Sequence, residues 1–113
     1  MEEIIKKKLA KNWFKYLQEM ICQEIEELEG KKNIFEYTNW ERGKKSKEGG
    51  GEFRIYKNGK IFEKVGVNFS EVYGKFSKKF RIKIPGAIKN PNFWASGISV
   101  VMHMKNPHIP AMH

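Results

Sequence analysis

The sequence predicts an α+β fold, with one long N-terminal helix packed on an antiparallel β-sheet. Two patterns predict it. Over residues 3–29, Ile5, Leu9, Trp13, Tyr16, Leu17, Met20, Ile21, Ile25 and Leu28 recur by threes and fours, the period of a helix with one apolar face. Further on the period falls to two. Phe53 and Ile55 alternate with Arg54 and Tyr56, and Ser99, Val101 and His103 alternate with Ile98, Val100, Met102 and Met104, as on strands whose two faces differ. At 113 residues the chain has the size of one domain, residues 1–113, with a single core of limited reserve.

The elements follow in order. Gly30 is placed to cap the helix, Lys6 to Lys8 form a solvated face, and Cys22 is a small inert residue beside the apolar stripe. A short apolar segment, IFEYTNW (34–40), leads into ERGKKSKEGGG (41–51), whose charge and glycine content argue against a helix or a central strand. EFRIYKNGKIFEKVGVNFS reads as a hairpin turning at Asn58-Gly59. KFSKKFRIKI (75–84) alternates again and stops at Pro85-Gly86, AIKNPNFWAS (87–96) reads as loop or a turn of helix, and GISVVMHM (97–104) is the last strand. On it Ser99 and His103 share a face, about 13 Å apart at ~3.3 Å per residue.

The formal charge of +9 comes from 22 Lys and Arg against 13 acids. Such an excess suits an anionic partner, and a basic nucleic-acid-binding module is the alternative reading it raises. Against it, 19 of the cations are Lys and only Arg42, Arg54 and Arg81 are Arg, while Ile outnumbers Leu twelve to three. A/T-rich codon usage produces that bias, and the residue suited to bidentate phosphate or base contacts is the scarce one. A single cysteine forms no intrachain disulfide, which points to a reducing compartment. The N-terminus lacks the order of a secretory signal, and no apolar run is long enough to span a membrane. The expected location is cytoplasmic.

Two groupings have chemical potential. Gly49-Gly50-Gly51 lets the backbone approach a ligand closely, although no helix signal follows it, so it is neither a Walker loop nor a dinucleotide fingerprint. His103, His108 and His113 are spaced by five, and Pro107 and Pro110 exclude a helix between them. A histidine on a strand followed by a proline-stiffened loop can bring two imidazoles around one metal or one substrate proton.

The motifs WERGKKSKEGGGEFRI, NGKIFEKVGVNFSEVYG and ASGISVVMHMKNPHIPAMH together resemble, in this order, the N-terminal third of the oxygen-dependent coproporphyrinogen oxidases of haem biosynthesis. The resemblance implies a large antiparallel sheet flanked by helices, and a homodimer in the full-length family. It implies oxidative decarboxylation of two propionates of coproporphyrinogen III to vinyl groups, giving protoporphyrinogen IX, with molecular oxygen as co-substrate and no organic cofactor. By motif, Ser99 corresponds to a substrate-binding serine, His103 to a ligand of a divalent metal cation, and His113 to a catalytic proton donor that is also a metal ligand. Asn106-Pro107 sets the loop between the two histidines. One departure stands out: Glu52 occupies the fourth position of the glycine run, which puts a carboxylate where an anionic substrate is expected.

Overall fold

The computed structural model describes residues 1–113, the side chain of Ser46 excepted. A 28-residue helix, α1 (Glu2–Glu29), precedes four strands, β1 (Glu36–Glu41), β2 (Gly49–Lys57), β3 (Phe62–Lys75) and β4 (Asn92–Met104), with one short helical turn, α2 (Lys78–Arg81), between β3 and β4. The strands form one antiparallel sheet in the order β1-β2-β3-β4. Helix α1 lies across one face. The core between them contains Cys22 and Ile25 of the helix, Phe35, Tyr56, Phe62, Val65 and Val67, with Ile98, Val100, Met102 and Met104 packed against it.

Gly30 adopts the left-handed conformation (φ 71°) and closes α1 by donating to Glu26 and Glu27, as its sequence position predicts. The helix nevertheless turns a different stripe to the sheet from the one its apolar spacing predicts. Gln18, Cys22, Ile25 and Glu29 are buried, whereas Leu9, Trp13, Tyr16 and Leu28 are all more than half exposed. The reason is polar satisfaction. Gln18 Nε2 donates to the carbonyls of Glu52 (3.1 Å) and Val67 (2.9 Å). The Glu29 carboxylate accepts the backbone N–H groups of Lys60, Ile61 and Phe62 at 2.8 to 2.9 Å. Buried polar groups with complete hydrogen bonding fix the rotation of the helix as firmly as apolar ones.

Other elements also depart from the sequence reading. Gly49, Gly50 and Gly51 open a central strand, because their missing side chains make room for the neighbours. A Cβ on Gly51 would lie 2.0 Å from the carbonyl oxygen of Phe69 and 2.7 Å from the Trp40 indole. Residues 75–84 are not a strand beyond Lys75. The Ser77 hydroxyl accepts from Phe80 N (3.2 Å) as the N-cap of α2, and Phe76 stacks on Phe93 and packs at a tilt against Phe80, the second an i,i+4 pairing that alternation cannot express. The last strand begins at Asn92, so residues 92–96 are strand and not loop. The hairpin turns at Asn58 (φ 58°), but four residues, 58–61, separate β2 from β3; the Asn58 and Gly59 amides close back onto β3, while those of Lys60 and Ile61 turn to Glu29.

Candidate functional site

The sheet has a second face, opposite α1. Cross-strand register sets its side chains in rows. Phe53, Asn68 and Ser99 form one, Ile55, Gly66 and Val101 the next, and Lys57, Lys64 and His103 the third, successive rows being about 7 Å apart. Phe53, Ile55, Lys64, Gly66, Asn68, Val101 and His103 line a groove of about 340 Å³. Its floor is Gly66, above which a Cβ would meet nothing within 4 Å. Trp40 stacks on Phe53 beyond the first row. The groove thus has an apolar middle, an amide and a hydroxyl at one end, and cations and imidazoles at the other.

Period two places Ser99 and His103 on this face, as the sequence predicts, and both are exposed. His113 arrives by a route that no periodicity encodes. After β4, Asn106 Oδ1 accepts from His108 N (2.9 Å) and turns the chain through Pro107 and Pro110. Met112 then pairs with Met102 through two backbone bonds of 2.8 and 2.9 Å. This antiparallel bridge sets the next residue beside His103. The two imidazoles stack with centroids 5.3 Å apart, and the Nε2 atoms lie 3.2 Å from each other. His108 does not join them. Among the described residues no group of three or more His, Cys, Asp and Glu side chains is placed to hold a metal.

Among the described residues, two polar atoms on this face are buried without a hydrogen-bond partner, the Trp40 indole nitrogen and Asn68 Oδ1. Buried polar atoms are nearly always satisfied, so an orphan lining a groove has a donor or acceptor yet to receive. Asn68 stands directly across from Ser99, and Lys64 directly across from His103. Lys64 has no ion-pair partner among the described residues. Sequence reading missed Lys64 and Asn68. Their signal was the phase of β3, in which both alternate with the core residues Val65 and Val67, but only the register pairs them with Ser99 and His103.

Glu52 and Arg54 occupy the other face. Arg54 donates to Glu52 (2.6 Å) and Glu19 (2.5 Å) and stacks over Tyr37, so its charge is spent within the fold. The departure at Glu52 therefore lies across the sheet from the histidines and puts no carboxylate beside them. A larger cleft of about 460 Å³ does open between α1 and the glycine run. Its three cations, Lys11, Lys15 and Arg54, are matched by Glu41, Glu52 and Glu71, which leaves it no net attraction for an anion. Burial works to raise the Glu71 carboxyl, but Lys11 (3.0 Å) and the Trp94 indole N–H (3.0 Å) outweigh it and hold the group below its ordinary value.

Comparison with known proteins decides the family. The family described as Coproporphyrinogen III oxidase matches residues 9–113. The chain belongs to it. The oxygen-dependent coproporphyrinogen-III oxidase of Rickettsia felis is 44% identical over 119 residues, covering 98% of this chain and 41% of that protein. The proteins of the same name from Rickettsia bellii and Rickettsia akari are 44% and 43% identical, covering 95% and 98% of this chain. The chain thus spans about two fifths of the length of these relatives. Family membership agrees with the motifs read from the sequence and with the α+β architecture.

Proposed function

We propose that the groove over Gly66 is the chain's share of an oxygen-dependent coproporphyrinogen III oxidase site. The observation that carries this reading is the convergence of His103 and His113, 3.2 Å apart, at the cationic end of an apolar groove. The substrate is a flat ring edged with carboxylates. Its ring suits the glycine-floored middle of the groove, its carboxylates suit Lys64, and its pyrrole N–H groups are donors of the kind that Asn68 Oδ1 lacks. Ser99 would bind substrate, and His113 would hold or deliver the proton at the reacting side chain.

A divalent cation fits the pair in part. Two ligand nitrogens at 2.0–2.1 Å from a tetrahedral ion stand about 3.3 Å apart, close to the separation found here, and both imidazoles are exposed. His103 and His113 would therefore hold the cation on one side, and further ligands would have to come from outside this group. When bound it would supply Lewis acidity beside the substrate. Molecular oxygen is the electron acceptor that the relatives' name implies. A homodimer, a cytoplasmic location and the exclusion of nucleic acid belong to the same proposal, the last supported by Arg54 being committed to Glu19 and Glu52.

Ser99, His103 and His113 all face an open sheet surface, and proton transfer to carbon needs a site that excludes water. This chain by itself is accordingly expected to bind the ring without turning it over. Titration with coproporphyrin III, followed by porphyrin fluorescence, tests the binding. Affinity should exceed that for the tetramethyl ester and should fall on Lys64→Met and Ser99→Ala. Equal affinity for acid and ester, or affinity untouched by both substitutions, would remove the groove as the substrate site. Oxidation of coproporphyrinogen III is expected only when a polypeptide covering the remaining length of a relative is added, and His113→Ala should abolish it.

A further inference from the structure

The connection between β3 and β4 takes no part in the groove or in the main core cluster. With Lys75 at the end of β3, residues 75–91, KFSKKFRIKIPGAIKNP, include six cations, Lys75, Lys78, Lys79, Arg81, Lys83 and Lys89, and no acid. None of the six has an ion-pair partner among the described residues. Codon bias does not account for this. A/T-rich usage raises Lys without removing acids, yet Glu is frequent up to Glu71 and then stops.

Charge is only half of the pattern. Ile82 and Ile88 are 76% and 74% exposed, and they border one shallow depression together with Lys83 and Lys89. The segment is built to present them. Phe76 anchors its root by stacking on Phe93 at 4.8 Å, Phe76 N donates to Pro91 O (2.9 Å) to close it, and Arg81 Nε donates to Phe76 O (2.9 Å). Ala87, 2% exposed, holds it down from the middle. Glu3 borders the root beside Asn90 and leaves the rest of the segment free of acids.

We propose that this connection is a membrane-surface docking element, whose lysines meet the headgroups of an anionic bilayer while Ile82 and Ile88 enter its interfacial layer. Apolar insertion and electrostatic attraction are each marginal alone and reinforce each other on one element. A nucleic acid would engage the cations but offers nothing to the exposed isoleucines, so the bilayer fits the whole pattern. Docking of this kind spans nothing, and it agrees with the absence of any helix long and apolar enough to cross a membrane among the described residues.

Co-sedimentation with vesicles of phosphatidylcholine containing about one third phosphatidylserine, against pure phosphatidylcholine, tests it. The chain should bind the anionic vesicles and release with rising salt. Lys78→Gln with Lys79→Gln should weaken binding by about fivefold per charge removed. Ile82→Ser with Ile88→Ser should weaken it at unchanged charge, and a tryptophan introduced by Ile82→Trp should shift its emission to the blue only on anionic vesicles. Lys78, Lys79, Ile82 and Ile88 are all exposed, the half-buried Arg81 is left intact, and circular dichroism checks that the fold is kept. Equal binding to neutral vesicles, or no loss with the serine pair, overturns the proposal. So does tighter binding to duplex DNA that the glutamine pair abolishes, or a loss that follows Leu9→Gln and Trp13→Gln on α1 and not the loop variants. Failure of a longer polypeptide containing this chain to bind would overturn it as well, without touching the groove.

Discussion

Glu29→Gln should destabilise the fold by about 2–3 kcal/mol at neutral pH. Glu29 is 6% exposed, and its carboxylate is held by neutral donors: Oε2 accepts from Lys60 N (2.8 Å), and Oε1 from Ile61 N (2.9 Å) and Phe62 N (2.8 Å). Burial works to raise this carboxyl, but the three backbone donors and the Tyr56 hydroxyl outweigh it and hold the group below its ordinary value of 4.5. Glutamine can keep its oxygen at the Oε1 position, yet it then points an N–H₂ at the Lys60 amide. One charge-assisted bond, worth about 1.5–3 kcal/mol, is lost, and the rest weaken to neutral strength of about 0.5–1.5 kcal/mol each. In urea melts followed by tryptophan fluorescence the midpoint should fall by about 1 M at unchanged slope, taking an m-value of about 2 kcal/mol/M.

The sign with pH follows from linkage. A carboxyl whose folded value is depressed contributes fully above its unfolded value and loses that contribution as pH falls through the folded one. The gap between wild type and Glu29→Gln should therefore be constant above about pH 5 and close below the 4.5 reference, while Glu71 keeps some acid sensitivity in both proteins. A gap below about 0.5 kcal/mol at neutral pH, or one that does not narrow in acid, would refute the view that this anion fastens the helix to the hairpin.

Two further expectations concern the sheet and the helix. Gly51→Ala should cost about 1–3 kcal/mol by overpacking, since its Cβ would meet the Phe69 carbonyl and the Trp40 indole. Gly97→Ala, with nothing within 4 Å, should be neutral or slightly stabilising; thermal melts that rank the two the other way would discredit the strand packing. Cys22 is 2% exposed and burial pushes its thiol up to about 11. It should react with a thiol reagent such as DTNB at pH 8 only after urea unfolding, and rapid reaction in the native chain would mean that α1 does not sit on the sheet as described.

Local pattern carries much of this protein. Three- and four-residue spacing marks α1 and Gly30 ends it, because helix period and left-handed capping are properties of short stretches of chain. Alternation along residues 97–104 puts Ser99 and His103 on one face for the same reason, and the long motifs around the glycine run, the hairpin and the last strand identify the family before any fold is seen. What alternation and spacing cannot supply is phase against a partner. The apolar stripe of Leu9, Trp13, Tyr16 and Leu28 is the more obvious one, yet Gln18 and Glu29 decide which side of α1 meets the sheet, since backbone groups 31 to 49 residues away are their partners. Gly49 to Gly51 looks like a loop until Trp40 lies across it, and residues 75–84 look like a strand until Phe76 finds Phe93. The site depends on the same kind of long-range closure. Lys64 and Asn68 come opposite His103 and Ser99 only through strand register. His113 reaches His103 only because Met112 hydrogen-bonds to Met102 across a turn, a contact between residues ten apart that no repeat in the chain encodes.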